Sequence, residues 1–253
     1  MISNSAMKLL NISVQGASHV ATGRECQDAS GCYRSPDGRM SAVVVSDGHG
    51  GSAYPNSATG ARLAVEVTLQ MLKCFCSNTA VRPDEKQIEQ LCRSIVANWT
   101  MRVGADGEGE ISTYGCTLIA YTLTDTYWFA LQIGDGRCCI LNHRNKWRQP
   151  IPSDDRCILN LTTSLCGEDV GRSFRYVSGV KRPKAVMLCS DGVDGTFGSG
   201  ALLYNFYNQV LRTLRMEGFG ALKDQLPGVL RHYSATSSKD DMSLALLVPG
   251  EGY

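Results

Sequence analysis

Met40-Ser41-Ala42-Val43-Val44-Val45-Ser46-Asp47-Gly48-His49-Gly50-Gly51 starts as an apolar run and ends in a glycine-rich turn. Four consecutive apolar residues, Ala42 to Val45, suit a short strand buried on both faces. A strand that ends in Asp-Gly puts a carboxylate at a sheet edge. The glycine leaves room there for backbone to approach a ligand that a side chain would block. Val186-Met187-Leu188-Cys189-Ser190-Asp191-Gly192 repeats the pattern, again as a hydrophobic strand ending in Ser-Asp-Gly. Ile133-Gly134-Asp135-Gly136 is a third instance, Lys239-Asp240-Asp241 stands just before the last apolar run, and Gln27-Asp28 stands before the second strand. Any one of these could be turn chemistry. Five aspartates at the ends of five strands point instead to an all-oxygen site for a hard cation: Mg²⁺, Mn²⁺ or Ca²⁺.

Around these anchors the chain reads as strands, two helices, strands, two helices and a closing strand. Strands are expected at Leu9 to Val14, Ala29 to Arg34 and Met40 to Val45, with Ser35-Pro36-Asp37-Gly38 as the turn between the last two. Leu63, Val67, Met71 and Phe75 mark one helix, and Ile88, Leu91, Cys92, Ile95, Val96 and Trp99 mark a second, which Pro83 and Asp84 start. Gly104 to Glu110 reads as an acidic, glycine-rich loop. Further strands are expected at Tyr114 to Leu123, Tyr127 to Ile133, Arg137 to Asn142, Ala185 to Cys189 and Met242 to Val248. Leu202 to Leu214 and Leu222 to Tyr233 carry two more helical stripes. Pro150 to Asp155 reads as loop, and the stretch from there to Arg182 has no clear period. This order lacks the regular alternation of a parallel α/β fold and predicts packed antiparallel sheets with helices outside, in one domain over residues 1–253.

Composition narrows the function. Twenty-five Lys and Arg against 24 Asp and Glu leave a net charge of +1, too little for a general field toward nucleic acid or membrane. No stretch approaches the roughly 20 apolar residues of a membrane span, and Met1 to Asn11 lacks the pattern of a signal peptide. Eleven cysteines without a Cys-x-x-Cys pair argue against a four-thiolate zinc site and read mainly as small buried hydrophobes. A reducing cytoplasm is expected.

Taken together, the blocks Gln27-Asp28, Asp47-Gly48-His49-Gly50-Gly51, Gly115-Cys116-Thr117, Gly134-Asp135-Gly136-Arg137, Ser190-Asp191-Gly192 and Asp240-Asp241-Met242-Ser243 resemble the protein phosphatase type 2C family, the metal-dependent Ser/Thr phosphatases, bacterial branch. The resemblance runs from near residue 16 to residue 248. It implies an α+β fold, a four-layer α-β-β-α sandwich, and hydrolysis of phosphoserine and phosphothreonine by direct attack of a metal-bridging hydroxide. Two Mn²⁺ or Mg²⁺ ions are implied, with a third at a weaker site. By position, Asp47 would bridge two metals, Gly48 would offer its carbonyl, Asp191 and Asp240 would complete one site, and Asp28 would support it. Asp135 with Asp191 would form the third site, His49 would be the general acid, and Arg24 would grip phosphate.

Some positions depart from the family pattern. Gln27 stands where the family has an acid, Gly136 where it often has serine, and Asp194 sits one residue early for a third-metal ligand. The region of Thr162 to Arg182 would form a flap beside the cleft. The expected partner is a Ser/Thr-phosphorylated protein, a cognate kinase or its substrate, met by a monomer without nucleic acid or membrane. The rivals are a phosphopeptide-binding pseudophosphatase, which Gln27 keeps open, and a two-metal phosphodiesterase or nuclease, which the neutral charge disfavours.

Overall fold

The structure, a computed structural model, describes residues 7–157 and 162–250. In chain order the elements are β1 (Lys8–Val14), α1 (Ala17–Thr22), β2 (Asp28–Arg34), β3 (Met40–Asp47), α2 (Ser57–Asn78) and α3 (Glu85–Asp106), followed by a 3₁₀ turn at Ile111–Tyr114. Then come β4 (Leu118–Thr124), β5 (Trp128–Ile133), β6 (Arg137–Leu141), β7 (Trp147–Arg148), α4 (Val170–Ser173) and β8 (Arg175–Gly179). The chain closes with β9 (Ala185–Cys189), α5 (Asp191–Asp194), α6 (Gly200–Met216), α7 (Gly218–Thr236) and β10 (Met242–Val248).

The strands form two five-stranded sheets, ordered β1-β10-β9-β6-β7 and β2-β3-β4-β5-β8, and every pairing is antiparallel. Strand alternation sorts the apolar residues into three cores. In β3, Val43 and Val45 enter the core between the sheets, where they join Ile119, Val186, Leu188, Ala245 and Leu247. Ala42 and Val44 point the other way, into the core shared with α2 and α3. On the other sheet, β1-β10-β9-β6-β7, Met187, Leu244 and Leu246 face α6 and α7. The apolar runs carry no visible alternation because both faces are buried, one under a sheet and one under helices. Each fully buried valine of β3 contributes about 1.5–3 kcal/mol by leaving water. The result is the expected four-layer sandwich.

Differences from the sequence reading have local causes. α3 starts as expected, with Asp84 and Gln87 in a reciprocal capping box, but runs on to Asp106 before Gly107, at φ 77°, ends it. The glycine-rich loop is therefore shorter than its composition suggests. Tyr114 lies in the 3₁₀ turn rather than in β4, since its hydroxyl donates to Asp106 Oδ2 at 2.7 Å and its carbonyl packs on Gly60. A Cβ on Gly60 would come within 2.0 Å of Tyr114 O, so glycine there lets α2 approach. β8 completes the second sheet inside the stretch without a clear period. Its residues are all half-buried, which erases the alternation that would mark a strand.

Candidate active site

Several strand ends meet at one edge of the sandwich. β2 begins at Asp28 and β3 ends at Asp47, and the two are direct partners across the ladder. Opposite residues in an antiparallel pair hold their side chains on one face about 5 Å apart, so two carboxylates are forced together here. β9 runs through Ser190 into the short α5, which opens with Asp191, while Asp240 and Asp241 lead into β10 beside it. The β5–β6 turn brings in Asp135 between Gly134 and Gly136, whose φ values of 89° and 76° suit glycine. Asp47, Gly48, His49, Asp135, Asp191 and Asp240 together line an open cleft of about 490 Å³.

The backbone fixes the loop after β3. Gly48 N donates to Gln27 O at 3.1 Å, and a Cβ on Gly48 would sit 2.6 Å from that oxygen and 2.8 Å from Ser57 O. His49 N donates to Gly115 O at 3.0 Å, and its ring packs edge-on against Tyr54. Thr117 brackets Asp47: its Oγ1 accepts from Asp47 N at 3.1 Å, and its own N donates to Asp47 O at 2.8 Å.

Asp28 is buried behind the cleft wall and accepts from Ser190 Oγ at 2.8 Å. Arg24 stands exposed on the rim, where its guanidinium donates to Gly50 O at 3.3 Å; it does not line the cleft. Asp194 is held by Arg137 at 2.6 Å, so it is already engaged in an ion pair.

Crowded carboxylates resist ionisation. Burial, then Asp191 and Asp240 among the charges, and Asp28 before them, hold the Asp47 carboxyl well above its usual range. Asp28 is raised by burial first, against the Ser190 hydrogen bond, with Asp241 and Asp191 adding to the rise. Burial and then Asp191 push Asp135 up to about 6, and the same two causes raise Asp240. His49 is lowered by burial, with Asp191 opposing the shift. A divalent cation would relieve this repulsion by supplying the missing countercharge. Among the described residues no three His, Cys, Asp or Glu side chains close into a metal-ligating group; the carboxylates stand around the cleft. The donor set is nevertheless all oxygen, which fits Mn²⁺ or Mg²⁺ and excludes no ligand such ions prefer.

One buried residue, Asp241, escapes sequence reasoning. Asp241 is 3% exposed and serves the frame: it accepts from the backbone N–H of Gly16 and of Gln27 and lies 2.9 Å from His19 Nδ1. It thereby ties the β1–α1 turn and the Gln27-Asp28 block to the start of β10. The adjacent Asp240 is exposed at the cleft, whereas Asp241 borders the same cleft with its carboxylate already taken up by these contacts. Gln27 donates from Nε2 to Ser57 Oγ at 2.7 Å and lines the cleft wall.

The two-sheet sandwich and a cleft lined by five aspartates, Asp47, Asp135, Asp191, Asp240 and Asp241, are the features of a metal-dependent phosphohydrolase. The family model described as protein phosphatase 2C matches residues 15–231, and the chain belongs to that family of protein-serine/threonine phosphatases. The fold is similar to the catalytic domain of the phosphatase PstP in complex with two manganese ions, at 16% identity and a TM-score of 0.63, covering 96% of this chain and 97% of that one. It is also similar to PppA of Pseudomonas aeruginosa, a regulatory component of a type VI secretion system (18% identity, TM-score 0.62, 96% and 98% covered). The Mycobacterium tuberculosis phosphatase PstP/Ppp is a further similar structure (14%, 0.61, 96% and 98%). No curated protein sequence matches this chain. Among the described residues no helix is long and apolar enough to cross a membrane.

Proposed function

We propose that the chain hydrolyses phosphoserine and phosphothreonine in proteins, as one phosphatase domain over residues 1–253, with Mn²⁺ or Mg²⁺ held by the aspartate cleft. The observation that supports this best is the set of carboxylates that separate strand ends bring to one cleft, in a chain of this family; Asp28, Asp47, Asp135 and Asp240 are raised by burial and by their neighbours. Asp47 would hold both ions, Asp191 and Asp240 would complete one site, and Asp28 would support it from behind the cleft wall. Asp135 with Asp191 would hold a third ion. Gly48, free of a side chain, would offer its carbonyl.

Bound cations would lower the pKa of a shared water and neutralise the phosphoryl oxygens. The protein's own residues do the rest. The cleft is open enough to admit a phosphorylated loop, and its rim carries Arg24 on the Gly50 loop. When the phosphorus–oxygen bond to the side chain breaks, its electron pair stays on the serine or threonine oxygen. His49, on the cleft wall, would give that oxygen a proton. Burial lowers the histidine's pKa, which strengthens it as an acid when charged, while Asp191 steadies the charged form.

The test is phosphate release from a phosphothreonine peptide with Mn²⁺, Mg²⁺ or chelator, for wild type, Asp47→Asn and Asp191→Asn. Turnover that requires metal and collapses in both variants supports the reading. A folded wild type that binds the peptide but turns nothing over under any metal would replace it with a phosphopeptide-binding module.

A further inference from the structure

The β5–β6 pair that carries Asp135 at the cleft leads, at its other end, to a basic surface. β5 runs from Trp128 toward Asp135, and β6 returns from Arg137 toward Asn142, so Trp128 and Asn142 lie at the end away from the cleft. A pocket of about 520 Å³ opens there, between the edge strand β8 of one sheet and the β6–β7 hairpin of the other. Its lining includes Arg82, Arg144, Arg148, Lys181 and Arg182 and not one acidic residue. None of these five cations has an ion-pair partner among the described residues. In a chain of net charge +1, five unpaired cations around one pocket are a strong local excess.

The pocket is also built rather than loose. Trp128 and Ile140, each 7% exposed, give it apolar support from the core between the sheets. Trp128 Nε1 donates to Lys181 O at 2.9 Å, and His143 Nε2 must donate to Arg182 O at 2.8 Å, since a carbonyl only accepts. The two cationic residues are thus presented on backbone tied down at both positions. Nucleic acid is a poorer match than an acidic peptide, because Trp128 is almost wholly buried and the single His143 imidazole is the lining's one exposed ring, too little for a row of stacked bases. Membrane is a poorer match too, as Val180 in the lining and Val81 next to Arg82 are two separate exposed valines and make no apolar face to insert.

We propose that this basic pocket is a docking site for an acidic segment of the phosphoprotein substrate, remote from the phosphorylated residue itself. Its role in turnover rests on the phosphatase reading above; its binding of an acidic peptide does not. β5 sets the separation from the cleft at about 20 Å, so the phosphorylated residue and the acidic segment must be at least about seven extended residues apart. Contacts of this kind hold a substrate near the cleft without touching the chemistry, and they weaken with salt.

The experiment compares wild type with an Arg144→Glu/Arg148→Glu/Lys181→Glu variant, three exposed positions whose change leaves the core intact. Two phosphothreonine peptides of about 16 residues are used, one ending in four glutamates and one with alanines in their place. The variant is expected to raise KM for the glutamate peptide about tenfold with kcat unchanged. KM for the alanine peptide and turnover of p-nitrophenyl phosphate should not move. The wild type's preference for the glutamate tail should vanish in about 0.5 M salt. Equal KM for both peptides in both proteins overturns the proposal, as does a variant that loses a single-stranded oligonucleotide while keeping the glutamate peptide.

Fluorescence anisotropy of the labelled, unphosphorylated glutamate peptide in chelator separates this idea from the phosphatase reading. Tighter binding by wild type supports the pocket whether or not the protein turns over, and equal Kd values overturn it. Failure of wild type to hydrolyse p-nitrophenyl phosphate with Mn²⁺ counts against the phosphatase reading alone.

Discussion

Replacing Asp135 by asparagine should make the metal-free protein more stable and the metal-loaded protein less active. The carboxyl sits on the β5–β6 turn, where burial and Asp191 push its pKa from 3.8 up to about 6. A folded-state value above the unfolded one means the folded protein binds the proton more tightly, so ionisation costs stability. The cost is absent below about pH 4, grows as pH rises toward 6, and is complete above it. A difference of about two pKa units corresponds to roughly 3 kcal/mol. The carboxyl is only partly buried, so solvent screening reduces this to about 1–2 kcal/mol. For a chain of this size that raises Tm by roughly 3–6 °C.

Thermal melts in chelator at pH 3.5 and pH 8 measure it. Asp135→Asn should melt with wild type at the lower pH and above it at the higher. Saturating Mn²⁺ should then narrow or reverse the gap, because only the carboxylate gains the cation's attraction. An Asn variant that melts below wild type at both values in chelator would refute the electrostatic account and make the residue a structural one.

Three further outcomes follow from named contacts. Gly48→Ala places a methyl 2.6 Å from Gln27 O and 2.8 Å from Ser57 O, both backbone, and should destabilise the fold by roughly 2–4 kcal/mol in denaturant unfolding. Asp241→Asn leaves two backbone donors and His19 sharing a neutral, less able acceptor, and should cost about 2–4 kcal/mol while Mn²⁺ affinity per folded molecule changes little. His49→Ala should slow a phosphoserine peptide about 10²–10⁴-fold. It should hardly slow p-nitrophenyl phosphate, whose leaving group needs no proton. Equal loss on both substrates would assign His49 to binding or to the loop.

Much of the site was legible before any coordinates. The Ser-Asp-Gly endings of two apolar runs located Asp47 and Asp191, and the Gly-Asp-Gly turn located Asp135, because a strand followed by glycine leaves few conformations open. The helix capped by Asp84 was equally plain, since a capping box is local chemistry. β8 was not legible, as five half-buried residues carry no period, and neither was Tyr114, whose place in a 3₁₀ turn depends on Asp106 at the end of α3 and on Gly60 far along the chain.

The sequence by itself determined which residue types end each strand, and hence that an all-oxygen cation site was at stake. Only the tertiary structure decided which aspartates share the cleft. Asp240 and Asp241 are neighbours that both border the cleft, yet one is exposed there and the other is buried with its carboxylate held by Gly16, His19 and Gln27. Asp194 has the right charge and lies three residues from Asp191, yet Arg137 holds it. The same holds for the basic pocket, whose cations are scattered from Arg82 to Arg182 in a nearly neutral chain. Charge is written residue by residue, but a field depends on distance, and the folding of two sheets against each other sets the distances.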